Sequence, residues 1–199
     1  WRGKATFTHT ARQGSEFELY NNQPMFRYNA YFGVHTVYYL DLVEQGGRAA
    51  LPMGRVVAAS LQTMIARAVR HPSGEAMNLW TQSLLNKMGN LKFLAYVDGD
   101  GYPSIVPVIQ AQAAGAKEVL FAAGVYARDL AAIVRGMPVA LLGMSLRMED
   151  VLLRGEYQGT RRIAGQRCGI VRVDWVYNPM PPTPQQIYPP LPLEPVSTW

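Results

Sequence analysis

The sequence predicts a mostly β protein with short helices, an α+β fold, on the evidence of two apolar runs and the turn between them. Leu91–Val97 and Ser104–Ile109 are rich in aliphatic and aromatic residues of strand type. Between them, Asp98–Gly101 contains two successive Asp-Gly pairs, which favour a tight turn because glycine accepts a positive φ and aspartate tolerates it. We therefore expect a β-hairpin over 91–109, with Pro107 at an edge or a bulge because proline cannot donate to a ladder.

The residues that flank this hairpin extend the pattern. Apolar residues on one face predict a helix over Glu75–Met88, with Gly89 and Asn90 as its stop. The downstream pattern predicts a strand, a short helix and three further strands, with a polar loop over 161–166. These elements are expected at Glu118–Ala123, Ala127–Arg135, Met137–Met144, Arg147–Gly159 and Cys168–Tyr177.

The N-terminal part has strands and a helix of its own. Strands are predicted at Arg2–Thr10, Glu16–Tyr20 and Phe32–Glu44, the last one apolar on both faces and so expected to be covered on both sides. An amphipathic helix is predicted over Met53–Val69, after Pro52. From residue 179 onward, the proline content predicts an extended tail.

Composition narrows the classes of function. The chain has 199 residues, 49% hydrophobic and 17% charged, enough for a buried core in one domain or one domain with a partial second. The net charge is +5, but the basic residues are scattered, so nucleic-acid binding gains no support. A single cysteine, no apolar run of ~18 residues and no signal-peptide pattern favour a cytoplasmic protein without a membrane partner. The three histidines lack ligand spacing, so no metal site is expected.

The order helix, hairpin, strand, short helix and further strands resembles the pyridoxamine 5′-phosphate oxidase-like split barrel, an FMN-binding family. The hairpin FLAYVDGDGYPSIVPV, residues 93–108, is similar to the strand-turn-strand near the start of such proteins. The resemblance implies a split-barrel flavin-binding domain over 75–178. It leaves an N-terminal β segment (1–50), a linker helix (51–74) and a Pro-rich extended tail (179–199). The sequence of residues 1–50 is loosely similar to that of the last predicted strands. Either this segment is the back half of a first barrel repeat, or the similarity is due to chance.

The resemblance also implies where FMN would bind. Members often carry Thr-Ser-Lys-Lys-x-Arg-Asn-Leu where the phosphate binds; here Arg128 and Leu130 match, while Ala122 and Ala123 replace the hydroxyl residues. Free N–H groups at the start of the predicted helix would suit a phosphate. The ring is expected against the hairpin strands, beside Trp175 at a dimer interface. The expected cofactor-binding residues are Ser104, Ile105, Val106, Pro107, Ala122, Ala123, Gly124, Val125, Tyr126, Arg128 and Trp175.

Two functions of different classes stay open. The first is an FMN-dependent oxidoreductase for a small-molecule substrate that the sequence does not identify; the cofactor supplies the chemistry, so no catalytic residue need stand out. The alternative is a non-catalytic binding or structural subunit that has lost the flavin, which Ala122, Ala123 and Tyr126 favour. Haem handling on the same fold would need a histidine in a pocket and is the weakest reading. We expect a homodimer that buries Phe32–Glu44 or the strand of Trp175.

Overall fold

The computed structural model describes residues 2–27, 33–48, 50–180 and 184–192, except the side chain of residue 25. The protein is mostly β, with antiparallel sheets and a few short helices. It divides into two compact units, Trp1–Leu51 and Pro52–Trp199. The helix predicted between the N-terminal strands and the hairpin belongs to the second unit.

The first unit contains a two-stranded antiparallel ribbon and two short helices. Its elements are β1 (Gly3–Ala11), α1 (Ser15–Asn21), α2 (Pro24–Arg27) and β2 (Val37–Gln45). The strand predicted at Arg2–Thr10 is confirmed, whereas the strand predicted at Glu16–Tyr20 is wrong. Helical hydrogen bonds form there instead, from the Glu18 amide to the Gly14 carbonyl and from the Asn22 amide to the Glu18 carbonyl.

Strand β2 begins later than the predicted strand Phe32–Glu44, whose first residue lies outside the described residues. The Asn21 side chain explains the late start, because it accepts a hydrogen bond from the Val34 amide (2.8 Å) and donates one to the Val34 carbonyl (3.1 Å). Val34 therefore has no backbone group free for a ladder. The expected cover on both faces is also wrong within this chain, since Leu40 and Asp41, on opposite faces of β2, are both exposed.

The second unit is built on one antiparallel sheet of eight strands. Its elements are α3 (Met53–Ala68), α4 (Leu79–Asn86), β3 (Leu91–Val97), β4 (Pro103–Val106), β5 (Gln112–Ala114), β6 (Glu118–Ala122), β7 (Pro138–Met144), β8 (Asp150–Ile163), β9 (Gln166–Asn178) and β10 (Gln185–Tyr188). The strand order is β4-β3-β7-β8-β9-β6-β5, and β10 also pairs with β9. Helix α3 packs on β5, β6 and β9, and α4 packs on β5 and β7.

The predicted hairpin is confirmed as β3 and β4, joined by a turn in which the Asp98 amide donates to the Tyr102 carbonyl. The second strand is shorter than predicted, because it ends at Val106 instead of Ile109. Pro107 has no amide hydrogen to continue the ladder. The amide of Ile109 bonds instead to the carbonyl of Pro107, which turns the chain away.

Strands β6 to β9 follow the predicted order, but the polar loop predicted over 161–166 is wrong. Strands β8 and β9 stay paired as far as Ile163 opposite Gln166. Only Ala164 and Gly165 form the turn, with φ values of 47° and 78°. Two consecutive residues with positive φ are typical of the tight turn that matches the twist of paired strands. The predicted extended tail is likewise partly in the sheet, since β10 pairs with β9.

Helix α4 is shorter than the predicted helix Glu75–Met88. The amides of Ala76 and Met77 both donate to the Ala116 carbonyl, which holds these residues outside the helix. Asn78 then acts as the N-cap, and its side chain accepts a hydrogen bond from the Thr81 amide at 2.9 Å.

Helix α3 confirms the predicted helix, but it packs on the sheet with a different face from the one that the apolar spacing favours. The residues it buries are mostly small: Val56, Ala59, Ser60, Thr63 and Ala66. The larger Val57, Leu61 and Ile65 are exposed. Arg70, just beyond the helix, donates two hydrogen bonds to the Glu118 carboxylate, at 2.6 and 3.0 Å. This ion pair ties the end of α3 to β6.

A lysine lies in the core of the second unit. Lys92 on β3 is only 1% exposed, and its Nζ donates to the carbonyls of Lys87 (2.7 Å) and Ile109 (3.1 Å). Burial lowers the pKa of Lys92 from its ordinary value of 10.5 to about 8, because the charged form has lost its water. The side chain thus connects the residue Lys87 before β3 with Ile109 after β4, and the cost of this connection is the desolvation of its charge.

The folded pKa of Lys92 lies below the unfolded one, so between pH 8 and 10.5 the folded state binds fewer protons and its stability rises with pH. Relative to the Lys92→Met variant, the free energy of unfolding of the wild type should therefore increase by about 2–3 kcal/mol between pH 7 and pH 10. Urea unfolding at both pH values measures this difference. Lys87→Met, at an exposed position, controls for the loss of a surface lysine. A difference that stays constant with pH would mean that Lys92 is not buried in its charged form.

Candidate functional site

One candidate site is a cleft of about 750 Å³ on the outer face of the second unit's sheet. A row of directly paired residues crosses five strands here, and all of its members except Ile105 line the cleft. The row runs Ile105, Ala95, Ala140, Arg154 and Trp175, on β4, β3, β7, β8 and β9. Directly opposite residues share a face of the sheet, so the two small alanines form a low floor between larger neighbours.

Trp175 forms one wall of the cleft and is held on several sides. The guanidinium of Arg154 lies 4.3 Å from the centre of its ring, and the Tyr177 ring stacks at 5.4 Å with an angle of 9°. The indole Nε1 donates to Oε1 of Gln186 at 2.7 Å. Arg154 and Gln186 also line the cleft. The cleft therefore combines an aromatic wall, a cation and an amide over an apolar floor, as ligand pockets commonly do.

A bulge in β9 brings an acidic residue to the same cleft. Arg154 lies opposite Trp175, but the next residue, Gly155, lies opposite Val173, so Asp174 is the extra residue. Bulges redirect side chains, and Asp174 lines the cleft as a result. Gly155 is required here because a Cβ atom would overlap the carbonyl of Arg172.

The four hairpin residues predicted to bind the ring divide between the two faces of the sheet. Ser104 and Val106 pair with Tyr96 and Leu94 on the core face, and Val106 is buried. Ile105 lies on the outer face, where it is 63% exposed in the row of the cleft. Pro107 follows the end of β4. Of these four, only Ile105 shares a row with Trp175.

The helix predicted at Ala127–Arg135 is wrong, and a series of turns takes its place. In a helix the carbonyl of Asp129 would accept from the amide of Ile133. Here it accepts the hydroxyl of Tyr96 at 2.6 Å, and the Ile133 amide bonds to the Leu130 carbonyl instead. The predicted phosphate site at a helix N-terminus therefore has no helix behind it.

The predicted phosphate residues lie together, but in different environments. Ala122 ends β6 and is buried, and the amide of Ala123 donates to the Arg167 carbonyl at 3.0 Å. Tyr126 is buried, its hydroxyl has no hydrogen-bond partner among the described residues, and burial raises the pKa of that hydroxyl, with Asp129 adding to the shift. The remaining predicted residues, Gly124, Val125 and Arg128, are partly or fully exposed.

The segment of turns between β6 and β7, residues 123–137, is called the bend below. Two adjoining pockets surround it, and both are lined by Gly124 and Arg167. The first, of about 360 Å³, also contains Tyr157 and Thr160, whose hydroxyls are 2.8 Å apart. The second, of about 430 Å³, also contains Arg55 of α3. Arg128 lines neither pocket.

The cleft and the bend lie at opposite ends of β9. Eight residues separate Arg167 from Trp175, which is roughly 26 Å along an extended strand. That strand length exceeds the length of an FMN molecule. Elsewhere the two groups of predicted residues are connected within one chain, because Tyr96, which lines the cleft and pairs with Ser104, donates its hydroxyl to the Asp129 carbonyl beside Arg128.

Sequence reasoning missed the cleft and pocket residues Arg55, Arg154, Arg167 and Gln186. Arg154 could have been found from the strand register, which places it opposite Trp175. Arg55 and Gln186 had no such signal, because only the packing of α3 and β10 brings them to their sites. Among the described residues no cluster of side chains suits a metal ion, and no helix there is long and apolar enough to span a membrane.

No family model matches the chain, and no curated protein is significantly similar to it. Among solved structures, Group A Streptococcus HupZ is 16% identical over 52% of this chain and 94% of that one, with a TM-score of 0.44. A variant of HupZ gives 18% identity, 52% and 99% coverage and the same score. An FMN-binding protein from Syntrophomonas wolfei subsp. wolfei is 10% identical over 62% of this chain and 92% of that one, with a TM-score of 0.35. Scores this low show neither the family nor the function of the chain.

Tyr96 is predicted to hold the bend that replaces the helix. Tyr96→Phe removes the hydroxyl that donates to the Asp129 carbonyl. The free energy of unfolding should fall by about 1 kcal/mol, because a partly buried acceptor loses its partner. Amide hydrogen exchange at Leu130 and Ile133 should also become faster. Tyr157→Phe is the matched control, because it removes a hydroxyl whose partner is the side chain of Thr160. Equal exchange in both variants would exclude this role for Tyr96.

Proposed function

We propose that the protein is an FMN-binding flavoprotein with a split-barrel fold, acting as an oxidoreductase on a small molecule. The observation that carries the proposal is the outer-face cleft. Its volume of about 750 Å³ falls within the usual range of small-molecule sites. Its apolar floor and aromatic wall suit a flat heteroaromatic ring, so the residues present fit the flavin.

Each group of the cleft has a distinct role in this proposal. Ala95 and Ala140 leave room for the ring, while Trp175 stacks against it or closes its edge. Arg154 supplies positive charge beside the ring, and Gln186 fixes the indole. When bound, the flavin supplies the redox chemistry, and the protein supplies binding, orientation and electrostatics.

A homodimer is part of this proposal. Arg167 beside the bend and Trp175 in the cleft lie roughly 26 Å apart along β9. In a two-fold dimer, the bend of one copy approaches the cleft of the other, and a single FMN is held by both. The apolar outer face, with Ile105 and Val97 exposed, is the surface that such a dimer would bury.

Flavin binding is tested by titrating FMN and following its fluorescence, together with the absorption spectrum of the purified protein. Trp175→Ala should weaken FMN about five- to thirtyfold, because an aromatic contact of about 1–2 kcal/mol is lost. Trp175→Phe keeps an aromatic ring and should recover most of the affinity. A wild type that neither carries nor binds flavin would leave the non-catalytic subunit as the function.

The dimer is tested by light scattering at micromolar concentration, where the wild type should have twice the 22.1 kDa mass of one chain. Ile105→Glu places a charge on the proposed interface and should give monomers and lose FMN together. Leu146→Glu is the matched control, because Leu146 is 90% exposed in the β7–β8 turn, outside that face. A wild type that is monomeric, or an Ile105→Glu variant that stays dimeric, would contradict this assembly.

A further inference from the structure

We infer that Arg55 and Arg167 form the phosphate site of this protein and hold the phosphate monoester of FMN. This inference rests on the proposed flavin function. Both arginines line the 430 Å³ pocket between α3 and the β8–β9 turn. The carboxamides of Gln62 and Gln166 line it as well, and none of its described lining residues is acidic.

Two cations in one pocket repel each other unless an anion lies between them. In the part of the chain that the structure describes, no carboxylate lines this pocket to compensate the charges. A phosphate monoester is a compact anion with three terminal oxygens, and each guanidinium presents a planar fork of N–H donors that matches it. The pocket therefore favours an anion of this kind. Its concave shape and its two cations also distinguish it from a nucleic-acid surface, which needs a longer basic stripe.

Both arginines are anchored to the same short bend. Arg55 Nη2 donates to the Gly124 carbonyl at 2.9 Å, which uses one of its five N–H donors and positions the others. The Arg167 backbone carbonyl accepts the Ala123 amide at 3.0 Å, so its strand is tied to the same place. The Arg55 side chain is thus placed before a ligand arrives, which lowers the entropic cost of binding, and the backbone of Arg167 is fixed beside it.

Arg128 is the cation that the motif alone favours, and it has neither of these features. It is exposed, as Arg55 and Arg167 are, but it lines neither pocket at the bend, and Asp129 follows it directly. The helix that would have placed free amides beside it is absent. Arg128 thus provides a matched control, with the same charge on the same bend but outside the pocket.

The first experiment compares FMN with riboflavin, which lacks the phosphate, by fluorescence titration. Arg55→Gln and Arg167→Gln should each weaken FMN about ten- to hundredfold and leave riboflavin unchanged. Arg128→Gln should change neither ligand more than about twofold. The inference is overturned if wild-type protein binds both flavins equally, or if Arg128→Gln carries the loss.

The second experiment needs no flavin and separates the two proposals. Inorganic phosphate, compared with chloride at equal ionic strength, should raise the melting temperature of the wild type more than that of the Arg55→Gln/Arg167→Gln double variant. An equal rise in both proteins refutes the anion site even if flavin binds elsewhere. A rise specific to the wild type, in a protein that binds no flavin, would keep the anion site and refute the flavin function.

Discussion

The hydrogen-bonded ladder of β9 is the constraint on which the rest of the second unit depends. This strand pairs with β8 from Gln166 to Tyr177, with β6 over its first half and with β10 near its end. Both candidate sites are set by it, because Arg167 lies near its start and Trp175 near its end. Its bulge at Asp174 turns an otherwise regular strand into a wall of the cleft.

Charge is distributed unevenly through this framework. Arg70 and Glu118 satisfy each other where α3 meets β6, and Lys92 is buried with only carbonyls as partners. Arg55 and Arg167, by contrast, share a pocket with no carboxylate among its described lining residues. Arg55 donates to one carbonyl, that of Gly124, and both arginines lie at an opening. This contrast is the physical reason for expecting an anion there.

Local chemistry was a reliable guide wherever short-range patterns decide the structure. The Asp98–Gly101 turn, the strands beside it and helix α3 follow from turn residues and periodicity. Predictions were wrong where a distant group took a backbone partner. The Tyr96 hydroxyl occupies the Asp129 carbonyl, the Ala116 carbonyl holds the residues before α4, and the Asn21 side chain engages Val34.

The sequence by itself determined a mostly β chain, its hairpin and the succession of strands from β6 to β9, because alternation and turn residues act over a few positions. It also identified Ile105 and Trp175 as residues of interest. Only the tertiary structure decided that these two share one row across five strands, that Arg128 lies outside both pockets at the bend, and that α3 brings Arg55 to Arg167. Those outcomes depend on strand register and helix packing, which join residues far apart in sequence and leave no local signal.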